Sequence, residues 1–227
     1  MNQTTILVVD DEKNLRDFVR RNLEVRGYEV ITAANGLEAL ALLESRPVHL
    51  AILDVMMPHL DGLELTRRIR QAGDTPIILL TALDEESDKV RAFDLGVDDY
   101  LTKPFGVGEL LGRIKAVLRR AQPHEQPEAH RLIRDDIVLD VENHTALLRG
   151  NPLDLTPTEF QLLAYLMKNA GKALTHQMIL QQVWGAAYGS EVEYLRVYMG
   201  RLRKKIEQDP LHPRHILTEH GLGYRFE

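Results

Sequence analysis

Ile6-Leu7-Val8-Val9-Asp10-Asp11 runs four apolar residues straight into two carboxylates. The run does not alternate apolar with polar, and neither does Ile77-Ile78-Leu79-Leu80. Strands of this kind are buried on both faces, the mark of a parallel sheet covered by helices on both sides. Three further β-rich runs fit the same sheet: Tyr28–Thr32, Leu50–Leu53 and Asp99–Leu101. Helix-period segments separate the runs, at about 13–25, 37–43, 63–71, 86–95 and 107–120. The first half is therefore predicted to be α/β, a doubly wound parallel sheet of five strands. In such sheets ligands collect beyond the carboxyl ends of the strands.

Those ends carry chemistry. Asp10 and Asp11 follow the first strand and Asp54 follows the third; Thr81 ends the fourth and Lys103 lies just past the fifth. In a parallel sheet all of them share one edge, so three carboxylates, a hydroxyl and an ammonium converge. An aspartate after a strand is also a common helix cap, and for any one of the three that reading stands beside the other. Clustered carboxylates repel, which calls for a counter-ion. An all-oxygen donor set suits Mg²⁺ better than zinc. A carboxylate beside Mg²⁺ and a lysine is equipped to accept a phosphoryl group: the cations neutralise the transferring oxygens and the carboxylate is the nucleophile.

The remaining composition narrows the class. The chain has 227 residues, 44% of them apolar, enough for a real core and against disorder. Zero cysteine removes disulfides, thiolate nucleophiles and cysteine-based metal sites. Met1–Thr5 carries no positive charge and no apolar stretch, and no run approaches the roughly 20 residues that span a bilayer. The expectation is a cytoplasmic protein with no membrane partner. A polar stretch with two prolines, 122–131, reads as a linker between a domain at 1–121 and another at 132–227.

The second half has a different grammar, α+β. Short strands are expected at Ile137–Leu139, Ala146–Arg149 and Leu153–Leu155, with Gly150-Asn151-Pro152 as a turn. Thr156-Pro157-Thr158-Glu159 is a capping box that opens a helix to about Asn169. Thr175 caps a second helix ending near Trp184, and a third runs from about Glu191 to Glu207. Ile216–Thr218 and Tyr224–Phe226 flank the hairpin signal His220-Gly221-Leu222-Gly223.

The formal net charge is −6 and neither half is basic, which by itself argues against nucleic acid. Yet Arg196, Arg201, Arg203, Lys204 and Lys205 cluster with no acid among them. At 100° per residue, Val192, Leu195, Met199, Leu202 and Ile206 form the apolar stripe of the third helix. The opposite face presents Glu193, Val197, Gly200, Arg201 and Lys204, with Arg196 and Arg203 on one flank and Tyr194, Tyr198 and Lys205 on the other. A solvated helix end is the plain alternative. Small Gly200 permits close approach, and Val197 is suited to a thymine methyl group.

Asp10-Asp11, Asp54-Val55-Met56-Met57-Pro58 with Gly62, Thr81-Ala82 and Asp98-Asp99-Tyr100-Leu101-Thr102-Lys103-Pro104-Phe105 resemble the receiver domain of two-component response regulators. The resemblance implies a flavodoxin-like receiver fold. It makes Asp54 the acceptor of a phosphoryl group from a histidine kinase. Asp10, Asp11, Asp54 and the Met56 backbone carbonyl would surround Mg²⁺, Lys103 would pair with the phosphate, and Thr81 and Tyr100 would switch when it arrives. A cis Lys103–Pro104 bond is implied too.

The second half, through Leu155-Thr156-Pro157-Thr158-Glu159-Phe160-Gln161-Leu162-Leu163, Trp184-Gly185 and Gly221-Leu222-Gly223-Tyr224-Arg225-Phe226, resembles the winged helix-turn-helix of OmpR/PhoB-like regulators. That likeness places helix 191–207 in the major groove of promoter DNA. Val197 and Arg201 would read bases, Arg196, Arg203 and Lys204 would hold phosphates, and a wing with His220 would reach the minor groove. Many relatives carry arginine at that wing position, and neutral histidine is a weaker cation. The loop 185–190 resembles the stretch that meets RNA polymerase in relatives. A symmetric homodimer on activation is implied through Lys89, Val90, Phe93, Asp94, Asp99, Glu109, Leu111, Arg113 and Lys115. Its cross-pairs would be Lys89–Glu109, Asp94–Lys115 and Asp99–Arg113.

A narrower likeness, to Kdp-type regulators of potassium-transport operons, rests on 194–203, Glu207-Gln208-Asp209-Pro210 and Pro213-Arg214-His215. The same mechanism with a phosphate, envelope or metal-stress regulon stays open. An aspartyl-phosphate phosphatase would want a second aspartate two positions after Asp54, where this chain has Met56, so the chain is not expected to be an enzyme.

Overall fold

The structure, a computed structural model, describes residues 3–82, 95–121, 131–185, 188–189 and 191–227. The chain divides into two compact units, 1–118 and 119–227.

In the first unit β1 (Thr5–Val9), β2 (Glu29–Ala33), β3 (Leu50–Asp54), β4 (Ile77–Thr81) and β5 (Asp99–Thr102) form one sheet in the order β2-β1-β3-β4-β5. Every pairing is parallel. All residues of β1, β3 and β4 are buried, as their unbroken apolar runs predict. The described helices are α1 (Lys13–Glu24), α2 (Gly36–Ser45), α3 (Gly62–Ala72) and α4 (Val107–Ala121). Val19 and Leu23 of α1 pack with Leu110, Ile114 and Val117 of α4 against Ile6, Val8, Ile52 and Leu80. The strand order reverses between β1 and β3, and the ends of those two strands carry the aspartates. The expected helix at 86–95 lies outside the described residues except for Leu95. The linker expected at 122–131 does so except for Arg131, which opens a strand.

The second unit starts with an antiparallel sheet of β6 (Arg131–Arg134), β7 (Ile137–Asp140), β8 (Thr145–Leu148) and β9 (Asn151–Pro152). The strand expected at Leu153–Leu155 is instead β9, two residues earlier. Arg149 and Gly150 both adopt positive φ (53° and 77°), the two-residue turn that matches strand twist, so pairing resumes at Asn151. Pro152 is tolerated because β9 is an edge strand. Three helices follow: α5 (Pro157–Lys168), α6 (His176–Val183) and α7 (Val192–Ile206). A second sheet, β10-β12-β11, joins β10 (Ala173–Thr175), β11 (Ile216–Glu219) and β12 (Gly223–Phe226).

The capping box is formed: Glu159 N donates to Thr156 Oγ1 and Thr156 N donates to Glu159 Oε2. Glu159 is fully buried and also neutralises two cations of α7. Lys205 Nζ lies 2.8 Å from Oε2. Arg201 Nη2 lies 2.9 Å from Oε1, as an ion pair without hydrogen-bond alignment. A carboxylate this deep is stable only with its partners, so the pair set fixes α7 on α5. Trp184, also fully buried, completes the joint, edge-on to Tyr194 (5.3 Å) and Tyr198 (5.1 Å). Glu159→Ala removes cap and counter-charge together and is expected to destabilise the second unit by about 3 kcal/mol or more. Urea unfolding measures it; a loss within about 1 kcal/mol, the range of an exposed pair, contradicts the assignment.

Candidate functional site

Asp10 and Asp54 extend from β1 and β3 at the point where strand order reverses. Both are buried, at 0% and 4% exposure, and Asp11 beside them is exposed. Oxygens of all three carboxylates lie within 4.8 Å of one another. Lys103 reaches in from beyond β5, its Nζ 2.8 Å from Asp10 Oδ2 and 3.1 Å from Asp54 Oδ1. Backbone contacts set the loops: Lys103 N donates to Thr81 O (2.7 Å) and Glu12 N to Asp10 Oδ1 (2.8 Å). Arg16 Nη1 donates to Asp10 O. The Lys103–Pro104 peptide is cis. Thr81 is buried at the end of the neighbouring β4, and Met56 is exposed.

The electrostatics follow from burial. Loss of water pushes the Asp54 carboxyl up, the Lys103 hydrogen bond and charge pull it back, and Asp10 repels; the balance lies above the ordinary value. Burial works against the Lys103 ammonium, but its hydrogen bonds to Asp10 and Asp54 prevail, and its pKa is raised. The donor set is all oxygen and doubly acidic beyond what one lysine offsets, which fits a hard divalent cation such as Mg²⁺.

The loop after Asp54 depends on one residue without a side chain. A Cβ on Gly62 would stand 2.1 Å from Asp54 O, and Gly62 N donates to Val55 O at 3.1 Å.

The activation surface is only partly described: Lys89, Val90, Phe93 and Asp94 lie outside the described residues. Glu109 and Lys115 are exposed, and Leu111 is half-buried against the core. Asp99 and Arg113, expected to pair across a two-fold, meet within the chain. Asp99 is fully buried and accepts from Arg113 Nη1 at 2.9 Å within the same chain, and Arg113 also meets Glu109 at 3.1 Å. Both acids sit within reach of one guanidinium, so the pair closes locally. The Arg113 guanidinium lies 5.9 Å from the Tyr100 ring centre.

On α7, Leu195, Met199, Leu202 and Ile206 of the apolar stripe are buried and Val192 is half-buried, but Tyr194 and Tyr198, expected on a flank, are buried too. Two cations expected on the DNA are otherwise engaged. Arg201 pairs with Glu159 with its side chain only 12% exposed, which corrects its place on the open face. Arg203 donates from Nε (3.0 Å) and Nη2 (2.7 Å) to Ile216 O and from Nη2 (2.8 Å) to Thr218 Oγ1. It therefore ties α7 to β11 rather than standing free for phosphate. The helical wheel places residues by angle, and long arginines bend back to buried acceptors the wheel does not contain. Arg196 and Lys204 are exposed, Arg196 paired with Glu193, and Val197 is half-exposed. His220 is exposed at the tip of the β11–β12 hairpin. The sequence marks Glu159 as a cap alone; its signal as a buried acid is the basic pair four residues apart, Arg201 and Lys205.

Residues 6–115 match the family described as "Response regulator receiver domain", and residues 150–226 match "Transcriptional regulatory protein, C terminal". The KDP operon transcriptional regulatory protein KdpE of Escherichia coli K12 is 45% identical over 224 residues, covering 98% of this chain and 99% of its own. The transcriptional regulatory protein KdpE of Mycobacterium tuberculosis is 43% identical over 224 residues, 99% of both chains. Among solved structures, the Thermotoga maritima response regulator DrrB, an OmpR/PhoB homologue, is 34% identical over 99% of both chains with a TM-score of 0.54.

The chain belongs to the OmpR/PhoB-type two-component response regulators. As a member of that family it is a DNA-binding response regulator rather than an enzyme, and its two domains imply a histidine kinase and promoter DNA as partners. The receiver family binds Mg²⁺ through acidic residues, and the regulator's aspartate cluster has the donor set for it. Among the described residues of the regulator, no helix is long and apolar enough to cross a membrane.

Gly62→Ala is expected to cost the receiver about 2 kcal/mol or more, because backbone must move to admit the methyl group. Denaturant unfolding of the receiver transition measures it; unchanged stability contradicts the close approach at Asp54.

Proposed function

We propose that Asp54 accepts a phosphoryl group from a histidine kinase and that the modified receiver dimerises to drive promoter binding. The observation that carries this is the Lys103 ammonium between Asp10 and Asp54, 2.8 and 3.1 Å away. Asp10, Asp11, Asp54 and the Met56 carbonyl would hold Mg²⁺, which supplies positive charge to the transferring oxygens when bound. An Asp54 carboxylate oxygen attacks phosphorus, forming a P–O bond as the P–N bond to the kinase histidine breaks. Lys103 pairs with the incoming oxygens, the anion it already faces being exchanged for a stronger one. The Thr81 hydroxyl donates to a phosphoryl oxygen, and Tyr100 moves into the space Thr81 leaves.

The dimer surface comprises Lys89, Val90, Phe93, Asp94, Asp99, Glu109, Leu111, Arg113 and Lys115. Because Arg113 holds Asp99 and Glu109 in the monomer, exchange across the two-fold requires those pairs to open. Single exposed pairs contribute little, so Leu111 and its apolar neighbours carry more of the affinity.

On DNA, Arg196, Val197 and Lys204 face the groove and His220 sits at the wing. Arg201 and Arg203 act by holding the helix and wing in place. The loop 185–190 faces RNA polymerase; residues 186, 187 and 190 lie outside the described ones. The KdpE names of two relatives support a potassium-transport operon as target.

With acetyl phosphate and Mg²⁺, the full-length regulator should gain affinity for the promoter of a potassium-transport operon and sediment as a dimer. Asp54→Asn should do neither, and Leu111→Asp should be labelled but stay monomeric. Full affinity of Asp54→Asn for the promoter contradicts the phosphorylation switch; dimerisation of labelled Leu111→Asp contradicts the surface.

A further inference from the structure

Gly200 occupies the middle of α7, where glycine is costly to a helix and alanine is best. The fold does not ask for it. A Cβ built there meets no atom within 4 Å beyond its chain neighbours and the helix's own backbone, and no left-handed backbone angle is present. The glycine is thus held at a position where the protein itself would accept a methyl group and gain helix stability from it.

The surroundings say what lies outside. Its helical neighbours at three and four residues are Arg196, Val197, Arg203 and Lys204. Arg196 and Lys204 are exposed, and Val197 is half-exposed between them. Arg203 is held away by its bonds to Ile216 O and Thr218 Oγ1, so it does not fold over the glycine. The result is a bare patch of helix backbone flanked by two solvent-facing cations.

We infer that Gly200 is the point of closest approach between α7 and the DNA duplex, a specificity-determining position that acts by having no side chain. Exposed cations on either side draw phosphates in, and the missing Cβ lets a base-pair edge come against the backbone between them. The inference rests on reading α7 as the recognition helix.

The test uses the full-length, acetyl-phosphate-treated regulator, a genomic fragment enriched by the parent protein treated in the same way, and a scrambled fragment of equal length. Gly200→Ala should raise the melting temperature of the second unit by about 4 °C. It should weaken binding to the enriched fragment about tenfold and leave binding to the scrambled one unchanged. Gly200→Ser should weaken the enriched fragment at least as much. Lys204→Ala should weaken both fragments to a similar degree, as a phosphate contact does. If Lys204→Ala weakens both and Gly200→Ala binds as the parent does, the close approach is wrong while the recognition helix stands. If neither substitution changes binding, the recognition-helix reading fails and Gly200 with it. A lower melting temperature for Gly200→Ala would show that the fold requires the glycine, which also overturns the inference.

Discussion

Lys103 stands between two carboxylates that are almost wholly removed from water, Asp10 at 0% and Asp54 at 4% exposure. Two such anions together are unfavourable without a cation, and one ammonium offsets only part of their charge. The receiver is built so that this imbalance persists in the folded state. β1 and β3 bring the acids side by side, the turn after β5 delivers the lysine, and bare Gly62 allows the Asp54 backbone to be closely covered. An acidic site held short of positive charge attracts a divalent cation. A nucleophilic carboxylate flanked by cations is then suited to a phosphoryl group.

In the second unit charge is used inwardly. Glu159 closes the first turn of α5 and takes both Arg201 and Lys205 from α7, while Arg203 secures the wing strand β11. Three of the five clustered cations therefore set the position of α7 and of the β11–β12 hairpin, leaving Arg196 and Lys204 outward. This arrangement suits a chain of net charge −6, for which the cation–phosphate attraction that drives non-specific DNA binding is weak.

The receiver was largely legible because its signals are local. Non-alternating runs at 6–9 and 77–80 report two buried faces, and an aspartate directly after a parallel strand can only sit at the sheet's carboxyl edge. What was not legible depends on long side chains and on turn geometry. The wheel placed Arg201 in solvent because the buried acid it meets lies 42 residues earlier in sequence, at Glu159. Asp99 and Arg113 were assigned across a two-fold, yet they also meet within one chain. The strand at Leu153–Leu155 was misplaced because the turn lies at Arg149-Gly150, where a non-glycine residue takes positive φ, and not at Gly150-Asn151-Pro152.

The proposed chemistry turns on a phosphoryl group arriving on Asp54 and nowhere else. Borohydride reduces an aspartyl phosphate to homoserine and leaves free carboxylates and phosphohydroxyl groups intact, so peptide mass mapping after acetyl phosphate, Mg²⁺ and borohydride reads the position directly. Homoserine is expected at position 54 alone, dependent on Mg²⁺ and lost in Lys103→Ala. Homoserine at Asp10 or Asp11, or a stable phosphate on a hydroxyl side chain with Asp54 unmodified, would contradict it.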